Sequence, residues 1–105
     1  GATWTASGRI GRGIELDGAD DYIQLCDNTA NTGYMHDAFS LRSVSMWVKA
    51  DSTSGSSMLY DEGGNVSGLS MKIENGTLKA AVANNSTRIT VSTSYTDTAN
   101  WHHVA

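Results

Sequence analysis

The sequence contains no proline and only one cysteine among its 105 residues. With Cys26 alone, the chain cannot close an intrachain disulfide, which excludes the small secreted folds that depend on several disulfides. We expect Cys26 to be a small, half-buried residue near a strand end; the alternative is a disulfide to a cysteine elsewhere. Abundant Gly, Ser, Thr, Asn and Asp without proline are typical of many short strands joined by polar turns.

Basic residues are also scarce, since seven Lys and Arg face eleven Asp and Glu, for a net charge of -4 at pH 7. A nucleic-acid partner requires a basic face, so the composition predicts that this chain does not bind nucleic acid. No apolar run approaches the roughly 20 residues that cross a bilayer, so no membrane insertion is predicted. A chain of this length suits one domain at most, with a core that is marginal if it folds alone.

The pattern of apolar residues predicts strands throughout. On both sides of Asn75-Gly76, a two-residue hairpin signal, apolar and polar residues alternate. The apolar positions are Leu69, Met71 and Ile73 before the turn and Leu78, Ala80 and Val82 after it. No segment shows sustained helical periodicity. We therefore predict an all-β fold, an antiparallel β-sandwich.

A second alternation, over Leu41–Ala50, carries a tryptophan on its more polar face. Val44, Met46, Val48 and Ala50 share one face, and Ser45, Trp47 and Lys49 share the other. A tryptophan among those polar residues predicts that both faces are partly covered, as in a central strand.

The stretch from Gly8 to Leu25 is the most informative part of the chain. Ile14 and Leu16 alternate with Glu15, and an extended, β-prone run resumes at Tyr22–Leu25. Between them, glycine tolerates positive φ and aspartates bind nearby backbone N–H groups. The pattern predicts a hairpin whose tip carries three carboxylates. These are Asp17, Asp20 and Asp21.

Three blocks of sequence together resemble a known family. They are residues 8–23 (Gly-x-Ile-Gly-x-Gly-Ile-x-Leu-Asp-Gly-x-Asp-Asp-Tyr-Ile), residues 44–50 (Val-Ser-Met-Trp-Val-Lys-Ala) and residues 101–105 (Trp-His-His-Val-Ala). In this order they are similar to the bacterial laminin-G-like branch of the concanavalin A-like lectin/glucanase superfamily. The resemblance implies a concanavalin A-like jelly roll. In that family further strands follow the last block. The resemblance therefore also implies that residues 1–105 are a partial domain. Its final strands would lie in a missing C-terminal segment or in a neighbouring chain.

Two explanations remain open for Asp17, Asp20 and Asp21. Calcium takes six to eight oxygens from carboxylates and turn carbonyls, and the resemblance implies calcium here because many relatives bind it at a loop rim. Alternatively, the carboxylates only accept hydrogen bonds from backbone N–H groups of the turn.

Catalysis is not predicted. The run Glu15-Leu16-Asp17-Gly18-Ala19-Asp20 resembles the Glu-x-Asp-x-x-Glu strand of the glucanases in the same superfamily, and retaining hydrolysis needs two carboxyls about 5–5.5 Å apart. However, the last position is Asp, and Gly18 ends the strand before it. His102 and His103 point to opposite faces of a strand and cannot chelate one ion, so we expect both to have satisfied ring nitrogens.

The function expected from the resemblance is that of a non-catalytic binding or adhesion module. It would belong to a larger extracellular, cell-surface or virion-surface protein and recognise a glycan or a protein surface. Aromatic side chains near loops could stack on sugars, although packing is the simpler role for each. The candidates are Trp4, Tyr34, Tyr60 and Tyr95. The alternatives are an assembly module that pairs with a neighbour by strand addition and a glucanase-like hydrolase.

Overall fold

A computed structural model describes residues 1–25, 39–63 and 66–105, and within these ranges the chain is all-β, with eight strands and no helix. The strands are β1 (Thr3–Thr5), β2 (Gly13–Glu15), β3 (Met46–Val48), β4 (Ser56–Gly63), β5 (Gly68–Glu74), β6 (Thr77–Asn84), β7 (Thr87–Ser94) and β8 (His102–Val104). Two compact units form, one from residues 1–47 with 101–105 and one from residues 48–100. The predicted all-β antiparallel class is confirmed. The same ranges hold no helix that could span a membrane.

The unit of residues 48–100 contains a four-stranded antiparallel sheet in the order β4-β5-β6-β7. The hairpin predicted at Asn75-Gly76 is confirmed as the β5–β6 connection. Both turn residues have positive φ, 47° and 74°, which asparagine and glycine tolerate best. At the other end of the sheet, β4 continues as a strand to Gly63.

One face of this sheet is apolar, and its exposure rises from β5 towards β7. Ile73 and Met71 of β5 are only 2% and 7% exposed, whereas Val82 of β6 is 40% exposed. On β7, Ile89 and Val91 are 65% and 66% exposed, although they face Val82 and Ala80 in the register. The core of the unit therefore lies under β5, while every residue of the edge strand β7 is exposed.

The other face of the sheet carries a small ionic network. Lys72 and Lys79 lie directly opposite each other on β5 and β6. The Glu74 carboxylate bridges the two ammonium groups: its Oε1 lies 2.6 Å from Lys72 Nζ and its Oε2 lies 2.5 Å from Lys79 Nζ. The hydrogen bonds from Lys72 and then Lys79 lower the pKa of Glu74 to about 2.

We expect acid titration to reveal this network. Because the folded pKa of Glu74 is about 2, below its usual 4.5, its contribution to stability is present above pH 4.5 and is lost as pH falls through 2. Carboxyl carbon NMR should report a pKa near 2 for Glu74, and Lys79→Met should raise it towards 4.5. Glu74→Gln should flatten the dependence of the unfolding free energy on pH across that window. A normal Glu74 pKa in the unsubstituted chain would contradict the network.

In the other unit, the strand pairing differs from the predicted hairpin. β2 pairs with β1 in an antiparallel register, with Trp4 opposite Ile14, and residues 21–25 form no strand. The connection between β1 and β2 is made by Gly8 and Gly11. Gly11 has φ of 69°, and Gly8 lies so close to the backbone of Arg12 that a side chain would not fit. The turn that joins paired strands therefore precedes β2, and the aspartate turn follows it.

The second pair of strands in this unit is β3 with β8. Around β3 the predicted alternation is confirmed: Val44, Met46 and Val48 are half-buried, whereas Ser45 is exposed. The second face is also partly covered, as predicted, because Trp47 on that face is 40% exposed. Cys26, for which we predict a half-buried position, and the sugar-stacking candidate Tyr34 lie outside the described residues.

Candidate functional site

The turn after β2 is organised by its own aspartates. Asp17 Oδ1 accepts hydrogen bonds from the backbone N–H of Ala19 (2.8 Å) and of Asp20 (3.4 Å). Asp21 Oδ2 accepts one from the backbone N–H of Asp17 at 3.0 Å. The bond from Ala19 is the main reason why the pKa of Asp17 is lowered. Two of the three carboxylates, Asp17 and Asp21, therefore stabilise the turn. This agrees with the explanation that they accept hydrogen bonds from its backbone N–H groups.

The three carboxylates also lie close enough together to hold a metal ion. One oxygen from each of Asp17, Asp20 and Asp21 lies within 4.8 Å of the other two. Oxygens that share one calcium ion, each 2.3–2.6 Å from it, can be about 5 Å apart at most, so the spacing is compatible. Asp21 Oδ1 also lies 3.2 Å from the Gly1 nitrogen. Asp20 is exposed and makes no side-chain hydrogen bond to the described residues, so its carboxylate is the most available ligand.

The same geometry does not favour hydrolysis. A glycosidase of this kind needs one carboxyl with a raised pKa as the general acid. The backbone hydrogen bonds lower the pKa of Asp17, so Asp17 does not suit that role. In addition, Glu15 is the last residue of β2, while Asp17 and Asp20 lie in an exposed turn.

A second cluster, not predicted from the sequence, surrounds the exposed indole of Trp47. The Cζ atom of Arg9 lies 4.9 Å from the centroid of the Trp47 ring. The ring of His103 lies 5.3 Å from the same indole, centroid to centroid, at an interplanar angle of 56°. These distances are typical of a cation–π contact and of a tilted aromatic pair. We call Arg9, Trp47 and His103 the Trp47 cluster.

Three separate elements place these side chains together. Arg9 lies in the β1–β2 connection, Trp47 in the middle of β3 and His103 in the middle of β8. Because β3 and β8 are paired, Trp47 and His103 can meet across the strands. All three residues are exposed.

The polar atoms of the Trp47 cluster form no hydrogen bonds or ion pairs with the described residues. Within residues 1–25, 39–63 and 66–105, the Arg9 guanidinium, the Trp47 indole N–H and the His103 ring nitrogens make no hydrogen bond or ion pair. The expectation of satisfied ring nitrogens stays a prediction for His103, because its exposed ring is accessible to water. The cluster combines a large aromatic surface with several available donors.

The aromatic candidates proposed from the sequence have different surroundings. Trp4 is 72% exposed on β1. Tyr60 is half-buried, and its hydroxyl donates a 2.5 Å hydrogen bond to Glu62. Tyr95 is 7% exposed and belongs to the core of its unit, where burial raises its pKa, so it cannot serve as a stacking surface.

Sequence reasoning missed the Trp47 cluster, although part of the signal was present. Ser45 and Lys49, two residues before and after Trp47, share its face and are exposed, which indicates that the indole faces outwards. No pattern in the sequence connects Arg9 with Trp47, because their contact depends on where the β1–β2 connection lies.

The described residues form antiparallel sheets and no helix, which is consistent with a β-sandwich. Residues 17–105 match the laminin G-like family model described as the concanavalin A-like lectin/glucanases superfamily, and the chain is a member of this family. Neither a curated protein nor a solved structure shows significant similarity to the chain.

Proposed function

We propose that this chain is a non-catalytic binding module that recognises a glycan, within a larger protein of the extracellular space, cell surface or virion surface. The observation that carries the proposal is the Trp47 cluster. An indole face of this kind stacks on the apolar face of a pyranose ring, and adjacent donors bind its hydroxyls. Membership of a superfamily of lectins and glucanases supports a carbohydrate or protein ligand.

A glycan array tests this proposal. We expect the chain to bind a restricted set of glycans, and Trp47→Leu to abolish that binding because the stacking surface is removed. Trp4→Leu is the matched control, since Trp4 is 72% exposed in the same unit and belongs to no such cluster. Absence of any glycan binding, or equal loss in both variants, would overturn the proposal.

We also propose that Asp17, Asp20 and Asp21 bind a calcium ion. Carboxylate oxygens in an exposed turn are the ligands that this hard cation prefers, and turn carbonyls and water would complete its coordination. Calorimetric titration with calcium chloride should show one site that is lost in Asp20→Asn. This substitution leaves intact the backbone hydrogen bonds that Asp17 and Asp21 accept. Asp61→Asn on β4 is the control, and a chain that releases no heat with calcium would contradict the site.

A second candidate function is assembly through the edge strand β7. All eight residues of β7 are exposed, and Ile89 and Val91 extend the apolar face of the sheet to its edge. An uncovered edge of this kind pairs readily with another strand, and a second copy of this chain offers the same edge. Light scattering should then show a dimer that Val91→Lys converts to a monomer. A monomer at all concentrations would exclude this role.

A glucanase-like activity is the least supported candidate. Turnover of a β-glucan that is lost in Glu15→Gln would establish it and overturn the proposal of a non-catalytic module.

A further inference from the structure

We propose that the Trp47 cluster selects acidic sugars, that is, pyranosides that carry a carboxylate or a sulfate group. This inference rests on the proposed glycan recognition and adds the chemical class of the ligand. It follows from the surroundings of the Arg9 guanidinium and from the aromatic surface next to it.

The guanidinium of Arg9 contacts Trp47 and is not neutralised by any of the described residues. Its Cζ atom lies over the Trp47 ring, 4.9 Å from the ring centroid, a contact that uses none of its N–H groups as hydrogen-bond donors. No carboxylate of the described residues forms an ion pair with it. A planar guanidinium with five available donors matches the geometry of a carboxylate or sulfate, to which it can donate two parallel, charge-assisted hydrogen bonds.

The surface beside Arg9 is suited to the ring of a sugar rather than to a free anion. Trp47 is 40% exposed, and the tilted ring of His103 extends the aromatic surface on another strand. A pyranose that lies against this surface buries its apolar face, and the indole N–H and an imidazole nitrogen are available to its hydroxyls. An inorganic anion would contact Arg9 but would gain nothing from the two rings.

Because the chain carries a net negative charge, a preference for acidic sugars must come from direct contacts with Arg9. The net charge of -4 repels anions at long range, so electrostatic steering does not favour an acidic ligand. At contact, however, a neutral sugar leaves the Arg9 charge unpaired, whereas an acidic one forms hydrogen bonds between charged groups. Such bonds contribute more than neutral ones, enough for a preference of about tenfold.

The test uses three simple probes: methyl glucoside, methyl glucuronide and methyl glucoside 6-sulfate. Binding is followed by NMR through the Trp47 indole N–H signal, which Trp47→Phe assigns among the three tryptophans. We expect the glucuronide, the 6-sulfate or both to bind about tenfold more tightly than the neutral glucoside. Arg9→Gln should remove that preference, so that the variant binds the acidic probes no more tightly than the neutral glucoside.

Arg12→Gln is the matched control, because it removes the same charge from the same β1–β2 connection, where Arg12 makes no aromatic contact with the described residues. Retained preference in this variant, with loss in Arg9→Gln, would establish the inference. A preference for one acidic probe would identify whether carboxylate or sulfate is bound. Equal affinity for all three probes, or equal loss in both variants, would overturn the inference while glycan recognition stands. If neither these probes nor the glycan array showed binding, both proposals would fall.

Discussion

Replacing Ile73 with alanine should lower the free energy of unfolding by about 2–5 kcal/mol, the range measured for large apolar side chains removed from well-packed cores. Ile73 is 2% exposed and is the most deeply buried large side chain of the described residues. The loss combines the transfer free energy of the deleted groups with the cost of the cavity left behind. Small domains have only about 5–15 kcal/mol of stability, so the variant should unfold at a clearly lower urea concentration.

Ile89→Ala is the matched control for this prediction. It deletes the same groups from the same kind of element, but Ile89 is 65% exposed on β7. We expect a loss of about 1 kcal/mol or less, since only strand propensity and partial burial are affected. Similar losses for both variants in urea denaturation would mean that the core of this unit does not lie under β5.

Gly8→Ala should be the most damaging substitution in the other unit. A Cβ atom at Gly8 would lie 2.5 Å from the carbonyl carbon of Arg12 and 2.7 Å from the nitrogen of Gly13. Because these are backbone atoms, the β1–β2 connection itself must move, at a cost of about 1–3 kcal/mol. Arg9 is the next residue, so the variant should also lose the contact with Trp47, which the shift of the indole N–H signal would report.

Gly11→Ala tests whether the effect of Gly8→Ala comes from steric crowding or from a change of backbone conformation in the β1–β2 connection. Gly11 has φ of 69°, but a Cβ atom there would meet nothing within 4 Å. Alanine should therefore cost about 1 kcal/mol for the left-handed conformation and leave the Trp47 signal in place. If Gly11→Ala moved the indole signal as far as Gly8→Ala did, the close approach at Gly8 would not be what positions Arg9.

The strand pairing could be predicted where local chemistry alone determines it. At Asn75-Gly76, the turn residues and the alternation on both sides agree, and the observed hairpin follows. Between Gly8 and Asp21 the sequence offers two sets of turn residues, one before β2 and one after it. Both are used as turns, yet only the glycine turn joins paired strands. Which neighbour a three-residue strand pairs with depends on contacts beyond its own sequence.

The two candidate sites also differ in whether local sequence alone determines them. The acidic turn could be predicted because its three carboxylates are close in sequence, and aspartates near a glycine form local hydrogen bonds. The Trp47 cluster could not, because it joins residues 9, 47 and 103 through a contact between a connection and two strands. Spacing in the sequence carries no information about such contacts.

The edge strand β7 also restricts how a partner could align with it. Leu69, Val82 and Ile89 form a continuous apolar row across three strands that ends at this edge. A partner strand whose apolar side chains fall on the same face would lengthen that row. A partner displaced by one residue would turn them to the face that carries Lys72 and Lys79. The row therefore favours those alignments, half of all that are possible, in which the partner's apolar side chains fall on its own face.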